Sequence, residues 1–189
     1  MLNEELKKED YDELSKKSLV RVQYACSGNS TGIAETEYIP IVSGAASPVC
    51  YSVAGKEDAA AIEELLRVNN LPYADLDGTA IFHVAQSGGK VLGCVAVETY
   101  GGSGLLRSLA VGADSRGKGI GLQLVDIAEE NARGNGLESL YLLTTTAAAF
   151  FQKLGWEIIE RASVPDGIAR SSEFASVCPT TAVCMFKDI

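Results

Sequence analysis

The pattern of apolar and polar residues becomes regular after residue 49 and predicts an alternation of strands and helices. Apolar residues at helical spacing predict one helix over residues 56–68 and another that ends near residue 132. Residues 79–86 and 90–100 alternate with a period of two around the turn letters SGG, which predicts a hairpin. Further strands are predicted at residues 49–54, 105–111, 137–145, 156–162 and 181–187, with a short helix at 147–155. This order predicts a mixed α/β fold in which helices flank a mainly antiparallel sheet.

The first 48 residues lack this regularity, so we divide the chain into an N-terminal extension, 1–48, and a domain, 49–189. Residues 2–17 predict an amphipathic helix and residues 19–25 a strand. The segment that follows contains prolines, which a central strand excludes. The extension carries no motif, and we interpret it as an arm for packing or for homodimer formation.

Composition and charge narrow the possible partners. The 189 residues carry a formal net charge of −9, which disfavours binding to a nucleic-acid backbone. No apolar run approaches the roughly 18 residues that a membrane span needs, and the first residues lack the apolar core of a signal peptide. We therefore expect a cytoplasmic protein with no membrane partner.

The five cysteines are odd in number and form no CxxC pair. They are interpreted as reduced thiols, and no metal site is expected. A metalloid site that uses Cys178 and Cys184 stays open as an alternative.

Residues 115–121 (SRGKGIG) form the most distinctive stretch of the sequence. Three glycines and two cations stand between a predicted strand and a predicted helix. Glycines let backbone N–H groups approach a ligand closely, and a helix N-terminus favours negative charge. Phosphate or pyrophosphate is the chemical match, and a tight helix start without a ligand is the alternative.

The spacing of these glycines separates three known phosphate motifs. The Walker A pattern fails because Gly119 stands where a hydroxyl should follow Lys118, and the G-x-G-x-x-G dinucleotide pattern fails on spacing. The pattern R-x-x-G-x-G is matched by Arg116, Gly119 and Gly121. This turn resembles the pyrophosphate-binding turn of the GNAT N-acetyltransferase superfamily.

Other stretches extend the resemblance to that superfamily over residues 49–189. Leu109-Ala110-Val111 resembles its L-x-V strand, and FFQKLGW resembles part of its later helix motif. LLTTTAAAFFQKLGW is similar to amino-acid N-acetyltransferases of the N-acetylglutamate synthase type. LLRSLAV, YLLTTTAAAFF and SSEFASVCPTTAVCM together resemble a branch of stand-alone proteins often called arsenic-resistance N-acetyltransferases.

The resemblance implies direct transfer of an acetyl group from acetyl-CoA to the amine of a small amino-acid-like molecule, an amino-containing arsenical included. The N–H of Leu109 is expected to stabilise the oxyanion of the thioester carbonyl. Phe151 occupies the position where many relatives place a tyrosine acid. The residues assigned to the acetyl-CoA site are Leu109, Ala110, Val111, Arg116, Gly117, Lys118, Gly119, Ile120, Gly121, Thr144 and Phe151.

Three further side chains are candidates for chemistry or recognition. Glu98 is the candidate general base, and the alternative is a solvated strand end. Arg107, expected to share a strand face with Leu109, is the candidate for binding a substrate carboxylate, and the alternative is a surface ion pair. His83, the only histidine, is expected to be a satisfied strand residue.

Two other functions stay open. The chain can be a CoA-binding module without turnover, or an acetyltransferase for peptides or proteins. A P-loop NTPase is the weakest alternative.

Overall fold

The computed structural model describes residues 47–74 and 79–189. Almost all of the predicted extension lies outside these residues, so its helix, its strand and its role as an arm stay predictions. Seven strands in the described residues form one sheet in the order β1-β2-β3-β4-β5-β7-β6. The strands are β1 Cys50–Val53, β2 Ile81–Ser87, β3 Lys90–Tyr100, β4 Ser103–Val111, β5 Ser139–Thr144, β6 Glu157–Ile159 and β7 Val183–Asp188.

Four α-helices and a π-helical turn pack on the two faces of this sheet. The helices are α1 Ala59–Val68, α2 Ile120–Gly134, α3 Ala148–Lys153 and α4 Asp166–Ala169, and the π-helical turn is Glu173–Val177. The expected mixed α/β fold with a mainly antiparallel sheet is confirmed, because β4–β5 is the parallel pair and the other neighbours run antiparallel.

The parallel pair β4–β5 opens after a short stretch of pairing. The two strands pair at Ser103↔Ser139, Gly104↔Leu140 and Leu105↔Tyr141. β4 continues to Val111, where it pairs on its other side with β3. The rest of β4 is therefore not paired with β5, so an open strand edge lies in the middle of the sheet.

Each face of the sheet has its own apolar core. On the rear face, Leu124 and Ala128 of α2 and Phe151 of α3 pack with Leu106 and Leu142 of the strands. On the front face, α1 covers one group of strand residues, and α4 with the π-helical turn covers another. These two front clusters have as members Ile62, Leu65, Leu66, Val84, Cys94 and Ala110 in the first, and Leu105, Tyr141, Val164, Ile168, Phe174 and Cys184 in the second.

A bulge in β4 changes which side chains face the same way. Cys94 pairs with Ala110 and Ala96 pairs with Arg107, so β4 has one residue more than β3 in this interval. Ser108 lies there with a φ of 57°. Leu109 packs with the rear cluster, whereas Arg107 lies on the front face. The expectation that these two residues share a face was wrong, because strict alternation does not survive an inserted residue.

The segment between β6 and β7 is more ordered than its sequence predicts. A Pro-Asp-Gly sequence followed by polar residues is typical of a loop, but the segment forms α4 and the π-helical turn. Ser171, Glu173 and Phe174 are all buried there. The sequence does not predict this packing, because Glu173 is buried by partners that are distant in sequence.

Candidate active site

The glycine turn forms the N-terminus of α2. Gly117 and Gly119 have φ values of 73° and 77°, which L side chains rarely adopt. Gly119 is the N-cap, and Gln123 N–H donates the first bond of the helix to its carbonyl at 3.1 Å. The amides of residues 120–122 precede that bond and have no intrahelical acceptor. The turn therefore offers several backbone donors at the positive end of a helix dipole.

The space around these glycines is open. A Cβ added to Gly117 or Gly119 would meet no atom within 4 Å. A Cβ on Gly121 would lie 3.7 Å from Val111 and 3.9 Å from Phe150. The turn thus lies where the end of β4, the start of α2 and the helix α3 come together.

The two cations of the turn bind the chain itself. Arg116 donates to the side chain of Asn69 at 2.6 Å and to the carbonyl of Val111 at 3.2 Å. Lys118 Nζ donates to the carbonyl of Asp114 at 2.7 Å. Both side chains stabilise the local backbone. The backbone amides of residues 120–122 are therefore the main candidates for binding an anion.

The edge of β4 and the end of β5 border the opening in the sheet. Leu109, Ala110 and Val111 lie on β4 beyond its last pair with β5. Thr144 ends β5, and its hydroxyl accepts a hydrogen bond from Ala147 N–H at 2.9 Å. Thr145 and Thr146, which follow it, are exposed.

Phe151 belongs to the rear core and is 4% exposed. Its ring centroid lies 5.4 Å from that of Trp156 and 5.1 Å from that of Phe150. A cofactor contact at this position stays a prediction, and the described contacts are those of a packing residue.

On the front face, five side chains form a network that we call the Arg107 cluster. Its members are Glu98, Tyr100, Arg107, Glu173 and Cys178. Arg107 donates from Nη1 to Glu98 at 2.7 Å and from Nη2 to Glu173 at 2.8 Å. Tyr100 Oη donates to the second oxygen of Glu98, and Cys178 Sγ donates to the second oxygen of Glu173, each at 2.7 Å.

Burial and the adjacent carboxylates keep the two outer members of the Arg107 cluster protonated. Desolvation, strengthened by the hydrogen bond to Glu98, raises the pKa of Tyr100 to about 12. Desolvation and the hydrogen bond to Glu173 raise the pKa of Cys178 to about 12. Both groups are therefore hydrogen-bond donors at neutral pH.

Glu98 and Arg107, two of the residues singled out from the sequence, bind each other in this cluster. Glu98 is buried rather than a solvated strand end, and Arg107 is buried rather than at the surface. Binding of a substrate carboxylate by Arg107 stays a prediction, and it would require that carboxylate to compete with Glu98 and Glu173. Sequence reasoning missed Glu173 and considered Cys178 only for a metalloid site, although both lie in the stretch SSEFASVCPTTAVCM.

A small cavity adjoins the Arg107 cluster. It measures about 60 Å³ and is lined by Arg107, Ser108, Glu173 and Cys178 together with apolar side chains. Its apolar wall includes Leu71, Pro72 and Leu143. Ser108 immediately precedes Leu109, so this cavity lies beside the opening between β4 and β5. A larger groove of about 530 Å³ lies between α1, the β2–β3 turn and residues 112–115, which lead into the glycine turn.

The remaining candidates, His83 and Cys184, do not line this cavity. His83 is 2% exposed, and burial lowers the pKa of its imidazole. Cys178 and Cys184 are free thiols, and burial raises the pKa of Cys184 to about 11. Within residues 47–74 and 79–189, no three His, Cys, Asp or Glu side chains are grouped to hold a metal ion. In the same residues, no helix combines the length and apolarity needed to cross a bilayer.

Residues 78–158 match the family model of the GNAT acetyltransferase domain. An uncharacterized N-acetyltransferase of Chlorobaculum tepidum is 36% identical over 104 residues, which are 54% of this chain and 64% of the relative. An amino-acid acetyltransferase of Pseudomonas paraeruginosa is 36% identical over 78 residues, which are 40% of this chain and 18% of the relative. The chain thus spans less than two thirds of the length of either relative.

A solved structure shows the same fold. The N-acetylglutamate synthase of Neisseria gonorrhoeae, complexed with coenzyme A and N-acetyl-glutamate, aligns with a TM-score of 0.67 and 20% identity. The alignment covers 75% of this chain and 35% of that one. Residues 78–158 are thus similar to the GNAT acetyltransferase domain, and the chain shares the fold of this solved structure.

Proposed function

We propose that this protein is an acetyl-CoA-dependent N-acetyltransferase that acts on the amine of a small amino-acid-like molecule. One observation carries the proposal: β4 separates from β5 after Leu105, and the glycine turn begins α2 at the end of the separated strand. An extended ligand arm with a pyrophosphate fits an open strand edge followed by a helix N-terminus. The activity named for the Chlorobaculum relative supports the reaction class.

In this proposal the amides of residues 117–121 bind the pyrophosphate of acetyl-CoA. Arg116 and Lys118 contribute positive potential while their nitrogens stabilise the turn. Residues 109–111 pair with the pantetheine arm through their open backbone groups. Thr144 at the end of β5 and Phe151 of α3 are proposed to border the same site.

The acetyl transfer needs an oxyanion donor and a proton acceptor. The N–H of Leu109 stabilises the oxyanion that forms as the amine attacks the thioester carbonyl. Glu98 is the proposed base, acting directly or through water. The carbon–nitrogen bond forms, the carbon–sulfur bond breaks, and the departing thiolate takes a proton. Because a thiol is a good leaving group, a phenylalanine at 151 is compatible with the reaction.

The acceptor is proposed to be an amino acid or a close analogue. The amino-acid acetyltransferase of Pseudomonas and the N-acetylglutamate synthase of Neisseria support this class. An amino-containing arsenical is an acceptor of the same chemical type, and it is included in the panel of amines described below. Four free thiols among the described residues support a reducing, cytoplasmic setting.

The test is release of CoA thiol from acetyl-CoA over a panel of amino acids, amino-containing arsenicals, polyamines and peptides. Release with an amino acid or its analogue supports the proposal. Binding of acetyl-CoA by calorimetry without release on any amine would instead support a binding module. Release with peptides alone would support a peptide acetyltransferase.

A further inference from the structure

The Arg107 cluster holds more negative charge than its arginine needs. One guanidinium faces two carboxylates, Glu98 and Glu173, so the ionised group carries one net negative charge. The side chains of the arginine and of each glutamate are 2% and 8% exposed. One carboxylate would already neutralise Arg107, and Arg161, a second cation near the cluster, donates to the backbone carbonyls of Phe174 and Cys178. A cation beside the cluster would supply the missing charge.

The adjoining cavity has the size and the chemistry for an ammonium group. Its volume of about 60 Å³ is roughly that of two water molecules, enough for the head of an amine but not for an entire amino acid. Ser108 and Glu173 both line it. Ser108 Oγ is buried and has no hydrogen-bond partner within the described part of the chain. A buried hydroxyl next to a carboxylate provides two acceptors for an N–H donor.

The cavity also lies where the proposed reaction would need an amine. Ser108 is the neighbour of Leu109, whose N–H is the proposed oxyanion donor. The front face holds Glu173, whereas α2 and its glycine turn pack on the rear face. An amine in the cavity and acetyl-CoA at the turn would therefore approach the opening of the sheet from opposite faces.

From this arrangement we infer that Glu173, which lines the cavity, replaces Glu98 as the base: it receives the ammonium group of the acceptor and takes its proton. The inference rests on the proposed acetyltransferase function and identifies its acceptor as a primary amine that arrives protonated. The acceptor gives one proton to the Glu173 carboxylate, and the neutral amine then forms the carbon–nitrogen bond. The carbon–sulfur bond breaks, the second amine proton goes to the thiolate, and Glu173 returns its proton to solvent. Arg107 is a positioning residue that holds the Glu173 carboxylate toward the cavity.

Cys178 occupies the oxygen of Glu173 that the acceptor would use. Its thiol donates to Oε2, while Arg107 binds Oε1. A thiol is a weak donor, so an ammonium group can replace it with a stronger, charge-assisted bond. Glu173 itself contacts Arg107 from β4 and Cys178 after the π-helical turn. Glu98 and Tyr100 of β3 lie on the other side of Arg107, and Arg161 donates to the backbone carbonyls of Phe174 and Cys178.

The decisive experiment measures kcat and KM of the wild type and of Glu173→Gln with two amines of different basicity. One is an amino-acid amide with a pKa near 8, and the other is an alkylamine with a pKa near 10. A lost proton acceptor should lower kcat/KM for the alkylamine by about 100-fold or more. The loss should be clearly smaller for the weaker base, which is already partly neutral at pH 8. Equal losses for both amines, or none, would overturn the role of Glu173.

Three controls separate the possible causes. Glu129→Gln removes another buried, ion-paired carboxylate on the rear face and should leave the ratio between the two amines unchanged. Calorimetry should give Glu173→Gln the acetyl-CoA affinity of the wild type. If Glu173→Gln does not fold by circular dichroism, Glu173→Asp keeps the charge but withdraws the carboxylate, and it should show the same unequal loss. A wild type that transfers acetyl to no amine would overturn the proposed function together with this inference.

Discussion

Arg107 and Glu173 form a buried ion pair of 2.8 Å between β4 and the π-helical turn. The bond ties the irregular segment between β6 and β7 to the part of β4 that lies beside the opening of the sheet. It also places a carboxylate from late in the sequence next to Ser108 and the proposed oxyanion donor. The site on the front face therefore depends on a contact that no local pattern contains.

Arg107→Met should destabilise the fold strongly. The change leaves Glu98 and Glu173 buried without their common counter-charge, so we expect the free energy of unfolding to fall by about 3–5 kcal/mol. Chemical denaturation measures it. Arg107→Met combined with Glu173→Gln should lose less than the sum of the single changes, because the two residues interact directly. Arg170→Met, which removes an ion pair of exposed side chains, should change the stability by less than about 0.5 kcal/mol. A purely additive double variant would contradict the coupling.

Gly119→Ala should weaken acetyl-CoA binding much more than Gly136→Ala. Both glycines have positive φ, 77° and 80°, and neither has an atom within 4 Å of an added Cβ. The backbone strain should therefore be similar, about 1 kcal/mol in each case. Only Gly119 lies in the turn, where a methyl group would obstruct the approach of a phosphate to the amides.

Calorimetric titration with acetyl-CoA should give a dissociation constant at least about tenfold higher for Gly119→Ala, and close to the wild-type value for Gly136→Ala. Lys118→Ala should have a smaller effect than Gly119→Ala, because its ammonium group binds the carbonyl of Asp114. Equal effects of the three changes would argue against recognition by the backbone.

Phe151→Leu should lower stability without altering proton transfer. The side chain packs against Trp156 and Phe150 in the rear core, and its replacement should reduce the free energy of unfolding by about 1 kcal/mol. Denaturation gives the stability, and the pH profile of turnover should keep its shape. A shifted basic limb would instead indicate that position 151 takes part in the proton transfer.

Glu129→Gln should destabilise the rear core. Glu129 is 3% exposed and accepts hydrogen bonds from Trp156 Nε1 at 3.1 Å and from Lys187 Nζ at 2.7 Å. The bonds join α2 to β7 and to the start of β6, and losing the charge-assisted one should lower stability by about 2 kcal/mol. Denaturation is the measurement, with the exposed Glu64→Gln as the control. A Glu129 variant as stable as the Glu64 variant would refute the role of this contact.

The protein should lose stability as the pH falls below about 6.5 because of His83. Burial lowers the pKa of this imidazole in the folded state relative to its unfolded value of about 6.5. Below that pH the unfolded chain binds the proton more readily, so the stability that is fully present above 6.5 declines toward the lower, folded pKa. The variant His83→Phe removes this titration. Unfolding curves at pH 7.5 and 5.5 should differ less for the variant than for the wild type, and an unchanged difference would rule His83 out as the cause.

Most of the elements, and the position of the glycine turn, follow from patterns in the sequence. Glycines at 117, 119 and 121 constrain the local backbone directly, so their spacing predicted a helix start that the structure has at Ile120. The two strands of the β2–β3 hairpin are signalled by alternation, which depends only on neighbouring residues. These features depend on steric effects between neighbouring residues, so the sequence alone is enough to predict them.

The sheet face on which each candidate side chain lies, and the residue that it binds, depend on long-range packing. The bulge at Ser108 separates Arg107 from Leu109, since an inserted residue reverses the alternation without any signal in the letters. Glu173 stands among polar residues in the sequence, yet it is buried. Its counter-charge comes from Arg107, which is distant in sequence. Burial of a charge depends on which distant group is present to compensate it, and that is known only once the chain has folded.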